Sequence, residues 1–336
     1  MTPDPSAATA VLPADAATPK ALAAGGRLRA GVIGILALHD AILVAYMFTV
    51  LALLGILAKG PTPIVWNILL VVALLVGTAF VARAVPEVPR RLRVNVYGVV
   101  VVVSIVYSYL MLRDVLPVIR TDAVDDTLAA IDVALFGVQP AFVFEKLNRR
   151  PIIEWLSFFY FGYYTVAALY AVGVLWVAPG ARVKLEFGIG TAFLFSTGHL
   201  LYMCVPAFGP YKFFEAAYQG PVDGGFFWGL VWNSVHSAGA LKDVFPSLHT
   251  AAPTWFSLFA VTQARRDPRW RIPAALTCFF AVNIVVSTMV LRWHYVIDVI
   301  AGLALASTAA LIAPRLAAWD ASARARRGLP EAWQFE

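Results

Sequence analysis

The chain has 336 residues, of which 60% are hydrophobic and only 14% charged, with a mean hydropathy of +0.76 and a formal charge of +6. Such a composition excludes a soluble globular domain and fits an integral membrane protein. The excess of basic residues punctuates the loops between apolar stretches, so it reflects membrane topology and gives no reason to expect a nucleic-acid partner.

Residues 1–29 are rich in Ala, Pro, Thr and Asp and lack an early apolar core. They read as a disordered cytoplasmic tail, not as a cleavable signal. Beyond them, apolar stretches of roughly 20 residues, long enough to cross a bilayer as helices, recur along the chain. Eight helices are expected, at residues 30–58, 64–83, 95–117, 152–178, 186–206, 248–264, 272–291 and 294–314, and alternating strand patterns are missing. The fold expected is therefore all-α, a polytopic membrane helical bundle of about eight transmembrane helices, with residues 30–117 forming its N-terminal part. Residues 118–151 carry Asp122, Asp125, Asp126 and Asp132, too much charge for a span. They suit one or two short interfacial helices that frame a site entrance, or a plain connector. Residues 157–170 are dense in Phe and Tyr, which fits an aromatic belt and helix packing. The loop from 205 to 245 is long, the kind that carries function or disorder. It holds Tyr211, Lys212, Asp223, His236, Lys242 and Asp243 and runs directly into Pro246-Ser247-Leu248-His249, so it reads as a lid or wall. Residues 317–336 read as a second tail.

Cytoplasmic loops retain Lys and Arg. With the N-terminus inside, 17 of the 26 basic residues face the cytoplasm, and the short loop with Arg265, Arg266, Arg269 and Arg271 carries the most weight. That orientation puts both tails in the cytoplasm and His249 and His294 together on the extracytoplasmic side, as in a bacterial inner membrane. Cys204 and Cys278 fall in predicted spans and read as small buried hydrophobes.

Of the five histidines, His39 and His199 lie within predicted spans, where a helix-to-helix hydrogen bond suffices to explain them, and His236 lies in the long loop. His249 and His294 stand beside other signals. His294 and Asp298 are four apart, one face of a helix, where a carboxylate can orient an imidazole and leave the other ring nitrogen free to attack.

Pro246-Ser247-Leu248-His249, followed by Ser287, His294 and Asp298, resembles the last two motifs of the type 2 phosphatidic acid phosphatase superfamily. Leu248, where lipid phosphatases usually carry glycine, and the run from Asp132 to Pro140 are similar to the inositol phosphorylceramide synthase branch. The superfamily's lysine-x6-arginine-proline element has no match, and Thr288 stands where an arginine usually follows the serine. The resemblance implies that residues 152–316 form a catalytic core and that no metal or cofactor is needed. His294, held by Asp298, would form a phosphohistidine while His249 serves as acid and then base. Ser247, Tyr211, Lys212, Lys242 and Arg292 are the candidates for binding the phosphate. The function it implies is transfer of a phosphoinositol-like head group from a glycerophospholipid to a lipid hydroxyl such as that of ceramide. The alternative is a lipid or polyprenyl diphosphate phosphatase using water, and a lipid-binding protein with a decayed site is a third class. Membrane lipids are the expected partners.

Overall fold

The computed structural model describes residues 31–60, 62–238 and 240–335; the expected N-terminal tail, residues 1–29, lies outside them. Among the described residues the regular elements are helices, with one isolated bridge between Ala207 and Asp243. In chain order they are α1 (Val32–Ile35), α2 (Leu38–Leu57), α3 (Ile64–Ala84), α4 (Arg90–Leu110), α5 (Leu112–Ile119), α6 (Asp125–Phe136) and α7 (Pro140–Glu145). Then come α8 (Arg150–Val172, continued by a π-helical turn over Gly173–Val177), α9 (Ala181–Cys204), α10 (Pro210–Phe213), α11 (Phe226–Ala238), α12 (Leu248–Ala264), α13 (Arg271–Val290) and α14 (Val296–Ala325).

Seven of these helices are long and apolar enough to cross a membrane, and the protein is a helical membrane bundle. Apolar side chains such as Trp66, Leu70, Leu169 and Ile272 stay on the outside of the bundle, because lipid chains accept them as readily as the core does. The eighth expected span is shorter. At 17 residues, α12 is about 26 Å long at 1.5 Å per residue, less than the hydrocarbon thickness. It is wedged among α9, α13 and α14, where it buries Trp255, Phe256 and Phe259. The central post is α9: 67% of its apolar stretch is buried, against 39% or less for the other spans, and it packs on α2, α12 and α14.

Both interfacial and loop expectations resolve into short helices, α6 and α7 in the acidic segment and α10 and α11 in the long loop. The C-terminus departs from expectation. α14 runs to Ala325, and Leu329, Trp333 and Phe335 of the supposed tail are buried. Trp333 stacks on His39, ring centroids 5.6 Å apart. Arg83, which reads as loop punctuation, is buried beneath them. It donates to the Ala332 carbonyl at 3.2 Å, to Asp40 at 3.1 Å and to the Tyr97 hydroxyl at 2.7 Å. His39 Nε2 meets the same hydroxyl at 2.8 Å, and His199 Nδ1 meets the Ser108 hydroxyl at 3.2 Å, so both histidines join helices, as their position in spans implies. On the same end of the bundle, Glu186 of α9 accepts from Arg182, Gln263 and Arg266, which ties the arginine-rich α12–α13 loop to the central helix.

Candidate active site

The site is built where the start of α12 meets the start of α14. Ser247 caps α12: its hydroxyl accepts from the Thr250 amide at 3.2 Å, and its own amide donates to the Asp298 carbonyl at 3.0 Å. Gly302 makes this approach possible, since a Cβ there would lie 2.5 Å from the Ser247 carbonyl. At the end of α13 the chain reverses through Arg292, a non-glycine residue with φ of 68°, and the amides of Trp293 and His294 both donate to the Thr288 carbonyl, at 3.0 and 3.1 Å. His294 therefore precedes α14 instead of lying on it. Asp298 folds back over the first turn, accepts from the Tyr295 amide at 2.8 Å, and presents the same oxygen to His294 Nδ1 at 3.5 Å. The pairing expected from one helix face is made by a helix cap.

The acidic segment fastens this arrangement. Asp132 takes the amides of Val296 and Ile297, each at 2.9 Å, at the start of α14, where orphan amides and the helix dipole favour a carboxylate. Asp125 accepts from the amides of Phe208 and Gly209 and from the Tyr295 hydroxyl, at 2.9, 2.8 and 3.0 Å. Gly209 has φ of 90°, and a Cβ on it would lie 2.4 Å from the Trp293 carbonyl. That contact brings the long loop against His294.

The rings of His249 and His294 are 6.4 Å apart and inclined at 46°. His249 is gripped by tyrosines: Tyr160 stacks on it at 4.3 Å and Tyr163 lies at 4.6 Å. Its Nε2 has no hydrogen-bond partner among the described residues. Both histidines line a cavity of about 400 Å³ that continues past them to Leu175, Phe187 and Phe256, deep in the bundle. Val106 and Leu110 of α4 and Tyr164 and Ala168 of α8 line the cavity and are also exposed outside. α4 packs on α3 and α9, and α8 on α11, α12 and α13. The cavity therefore opens sideways between α4 and α8, toward lipid.

Four of the five expected phosphate-binding residues lie elsewhere. Lys212 is exposed and paired with Glu215 at 2.6 Å. The Lys242 ammonium donates to the carbonyls of Thr121 and Asp122, at 2.8 and 3.1 Å. Arg292 is buried against the Tyr218 ring, 3.7 Å from its centroid, and pairs with Glu145 at 3.2 Å. Ser247 is fully buried in its capping role and off the cavity wall. Each cation found a nearer acceptor on its own surface. Tyr211 alone of the five lines the cavity.

The structure adds residues that sequence reasoning passed over. Tyr109, Tyr160, Tyr163, Tyr164 and Tyr202 join Tyr211 on the wall, and Asp243 stands among them, accepting from the Tyr109 hydroxyl at 2.8 Å. The tyrosines of α8 fall at 160, 163 and 164, the spacing of one helix face, which is the signal that aromatic density concealed. Burial lowers the His294 imidazole to about 4, with the Asp243 carboxylate acting in the opposite direction. A neutral imidazole at ordinary pH is the form that can attack phosphorus. Burial raises the Asp243 carboxyl above its ordinary value, against the hydrogen bond from Tyr109.

An apolar cavity open to lipid, with two facing imidazoles and a carboxylate behind one of them, can split an ester in two steps through a covalent histidine. Comparisons with curated proteins and with solved structures give no match. A family model does match, over residues 126–312, which takes in both histidines, Asp298 and Asp132, the cap of α14, and more than half of the chain. The chain belongs to the PAP2 superfamily and is an enzyme acting on phosphate esters.

Proposed function

We propose that the protein is a phospholipid head-group transferase working through a phosphohistidine. The observation that carries this reading is the pair of histidines 6.4 Å apart at the mouth of a deep apolar cavity. His294 attacks phosphorus with Nε2, which requires its proton to sit on Nδ1 toward Asp298 and the ring to leave the Val244 carbonyl, now within hydrogen-bonding range. The P–O bond to the glycerolipid breaks, and His249 as imidazolium gives its proton to the departing alkoxide. In the second half, His249 takes the proton of the incoming hydroxyl, whose oxygen attacks phosphorus and breaks the P–N bond. Donor and acceptor are thus exchanged around one retained intermediate.

A lipid hydroxyl as acceptor fits the sideways opening and the apolar depth. Hydrolysis is the second reading, and the missing lysine and arginine disfavour it, because a phosphate monoester product would bring two charges into a cavity whose described lining holds no cation. The resemblance to the inositol phosphorylceramide synthase branch names phosphoinositol and ceramide, while the mechanism itself asks only for a phosphodiester and a hydroxyl. The arginine-rich α12–α13 loop supports a cytoplasmic location for that end and an extracytoplasmic site in a bacterial inner membrane.

The test is incubation of purified protein with phospholipids labelled in the head group, with and without ceramide or diacylglycerol. Label in a new acceptor-dependent lipid, and on the protein as an acid-labile adduct lost in His294→Ala, is the expected result. Label released into water at the same rate with and without acceptor would establish hydrolysis instead.

A further inference from the structure

The cavity has a charge that the mechanism leaves unanswered. Asp243 is its carboxylate, and among the described lining residues there is no lysine or arginine to pair with it. The hydroxyl of Tyr109 donates to it at 2.8 Å, and the backbone at Ala240 and at Asp243 itself hydrogen-bonds it too. The hydroxyls of Tyr160, Tyr164, Tyr202 and Tyr211 fall within its electrostatic reach, as does His294. A phosphodiester adds a negative charge. Even with His249 protonated to serve as acid, negative charge remains uncompensated for an inositol or glycerol head group, in a buried site. Unpaired buried charge is costly. A head group that carries its own cation removes the deficit, because the ammonium can sit against Asp243 while the phosphate faces the histidines. The surroundings suit that cation: tyrosine faces attract ammonium and quaternary ammonium groups, and their hydroxyls supply acceptors.

Resting on the transferase reading, we infer that Asp243 and the tyrosines around it form a subsite for a cationic amine, so that the preferred phospholipid donor is zwitterionic, bearing an amino or quaternary ammonium head group. Asp243 is on this account a specificity residue that touches the head group of the substrate. Its raised carboxyl is what a site without its cation displays, since burial alone disfavours the anion and a bound ammonium would restore it.

Binding can be tested without turnover. His294→Ala protein in detergent would be titrated with short-chain phosphatidylethanolamine, phosphatidylcholine, phosphatidylglycerol and phosphatidylinositol of identical acyl length, read by thermal stabilisation and native mass spectrometry. The two amine-bearing lipids are expected to bind roughly tenfold or more tighter than the two anionic ones, the scale of one hydrogen-bonded charge contact. Asp243→Asn in the same background should bring the four together. If Asp243→Asn does not fold, the comparison of the four lipids on the His294→Ala protein still decides. Equal or tighter binding of the anionic lipids, no binding of any of them, or a preference that survives Asp243→Asn would overturn the inference. Because none of these readings needs chemistry, they stand apart from the labelling test: absence of an acid-labile adduct from the unsubstituted protein would sink the phosphohistidine and leave the head-group preference to be judged by binding.

Discussion

Two buried clusters of this chain use nearly the same residue types, yet only one encloses space. Toward one end of the bundle, His39, Asp40 and Tyr97 meet Arg83, and Asp320 pairs with Arg324 at 2.9 Å. Each carboxylate has a guanidinium, Trp333 closes over the histidine, and the adjoining void of about 10 Å³ holds no more than one water. At the other end, His249 and His294 stand with Asp243 and Asp298 beside a cavity of about 400 Å³. Among the described residues Asp298 Oδ1 and His249 Nε2 have no hydrogen-bond partner, and no lysine or arginine lines the cavity. The difference teaches how to sort buried His-Asp pairs. A pair neutralised by arginine and sealed by aromatic rings leaves no room for a ligand, whereas a pair without a cation next to open space is arranged for one.

The sharpest way to break the comparison is to remove one histidine from each cluster. His294→Ala should lower turnover by a factor on the order of 10⁴, as expected when a covalent nucleophile is lost, with an unchanged melting temperature. His39→Ala should do the reverse: less folded protein, with full activity per folded molecule. Asp40→Ala should cost roughly 3–5 kcal/mol of stability, since it leaves Arg83 buried without its counter-ion. Thermal unfolding in detergent, normalised to activity, separates the two behaviours, and loss of specific activity in Asp40→Ala would move that cluster into the catalytic machinery.

The third expectation concerns orientation. Asp298→Asn keeps the cap on the Tyr295 amide but removes the charge facing His294 Nδ1. Turnover should fall by about 10²-fold with KM little changed, as for loss of a partner that fixes a ring's tautomer and direction. A KM effect without a kcat effect would place Asp298 in substrate binding.

How much of this was legible without coordinates differs between the clusters. Helix number, and the meeting of His249 with His294, follow from apolar run lengths and from motifs local in sequence. The His39 cluster was half hidden because it is assembled from residues up to 294 positions apart, with Trp333 in a stretch too polar to be read as packed. At the site, Asp243 was one of several polar residues in a long loop, and nothing in its neighbourhood reveals that Tyr109, 134 positions away, donates to it. Lys212, Lys242 and Arg292, expected as phosphate ligands, lie off the cavity for a related reason: a cation near a motif in sequence pairs with the nearest acceptor in space.

The charge state of His294 gives a fourth test. Its imidazole must be neutral to attack, so activity is lost as pH falls through its pKa. With that value held by burial at about 4, the acid limb of kcat/KM should lie below about pH 5, where an ordinary histidine near 6.5 would already have titrated, while the need for a protonated His249 sets a separate alkaline limb. Asp243→Asn removes a group that raises the value, so the acid limb should shift lower still. An acid limb between pH 6 and 7 would mean that water reaches the ring.

The smallest effect is expected where sequence reasoning looked for a phosphate ligand. Lys212 is exposed and its partner Glu215 more so, with side-chain accessibilities of 56% and 67%. Exposed pairs of this kind contribute between about 0 and 1 kcal/mol, and the ammonium does not line the cavity. Lys212→Ala should therefore change kcat and KM by no more than about twofold and leave stability within roughly 0.5 kcal/mol. The measurement is steady-state transfer over a range of ionic strength, because a lysine that draws anionic lipid toward the cavity mouth would act through rate and be screened by salt. A salt-dependent loss of tenfold or more in kcat/KM would return this cation to the site and remove the electrostatic ground for assigning the amine to the substrate.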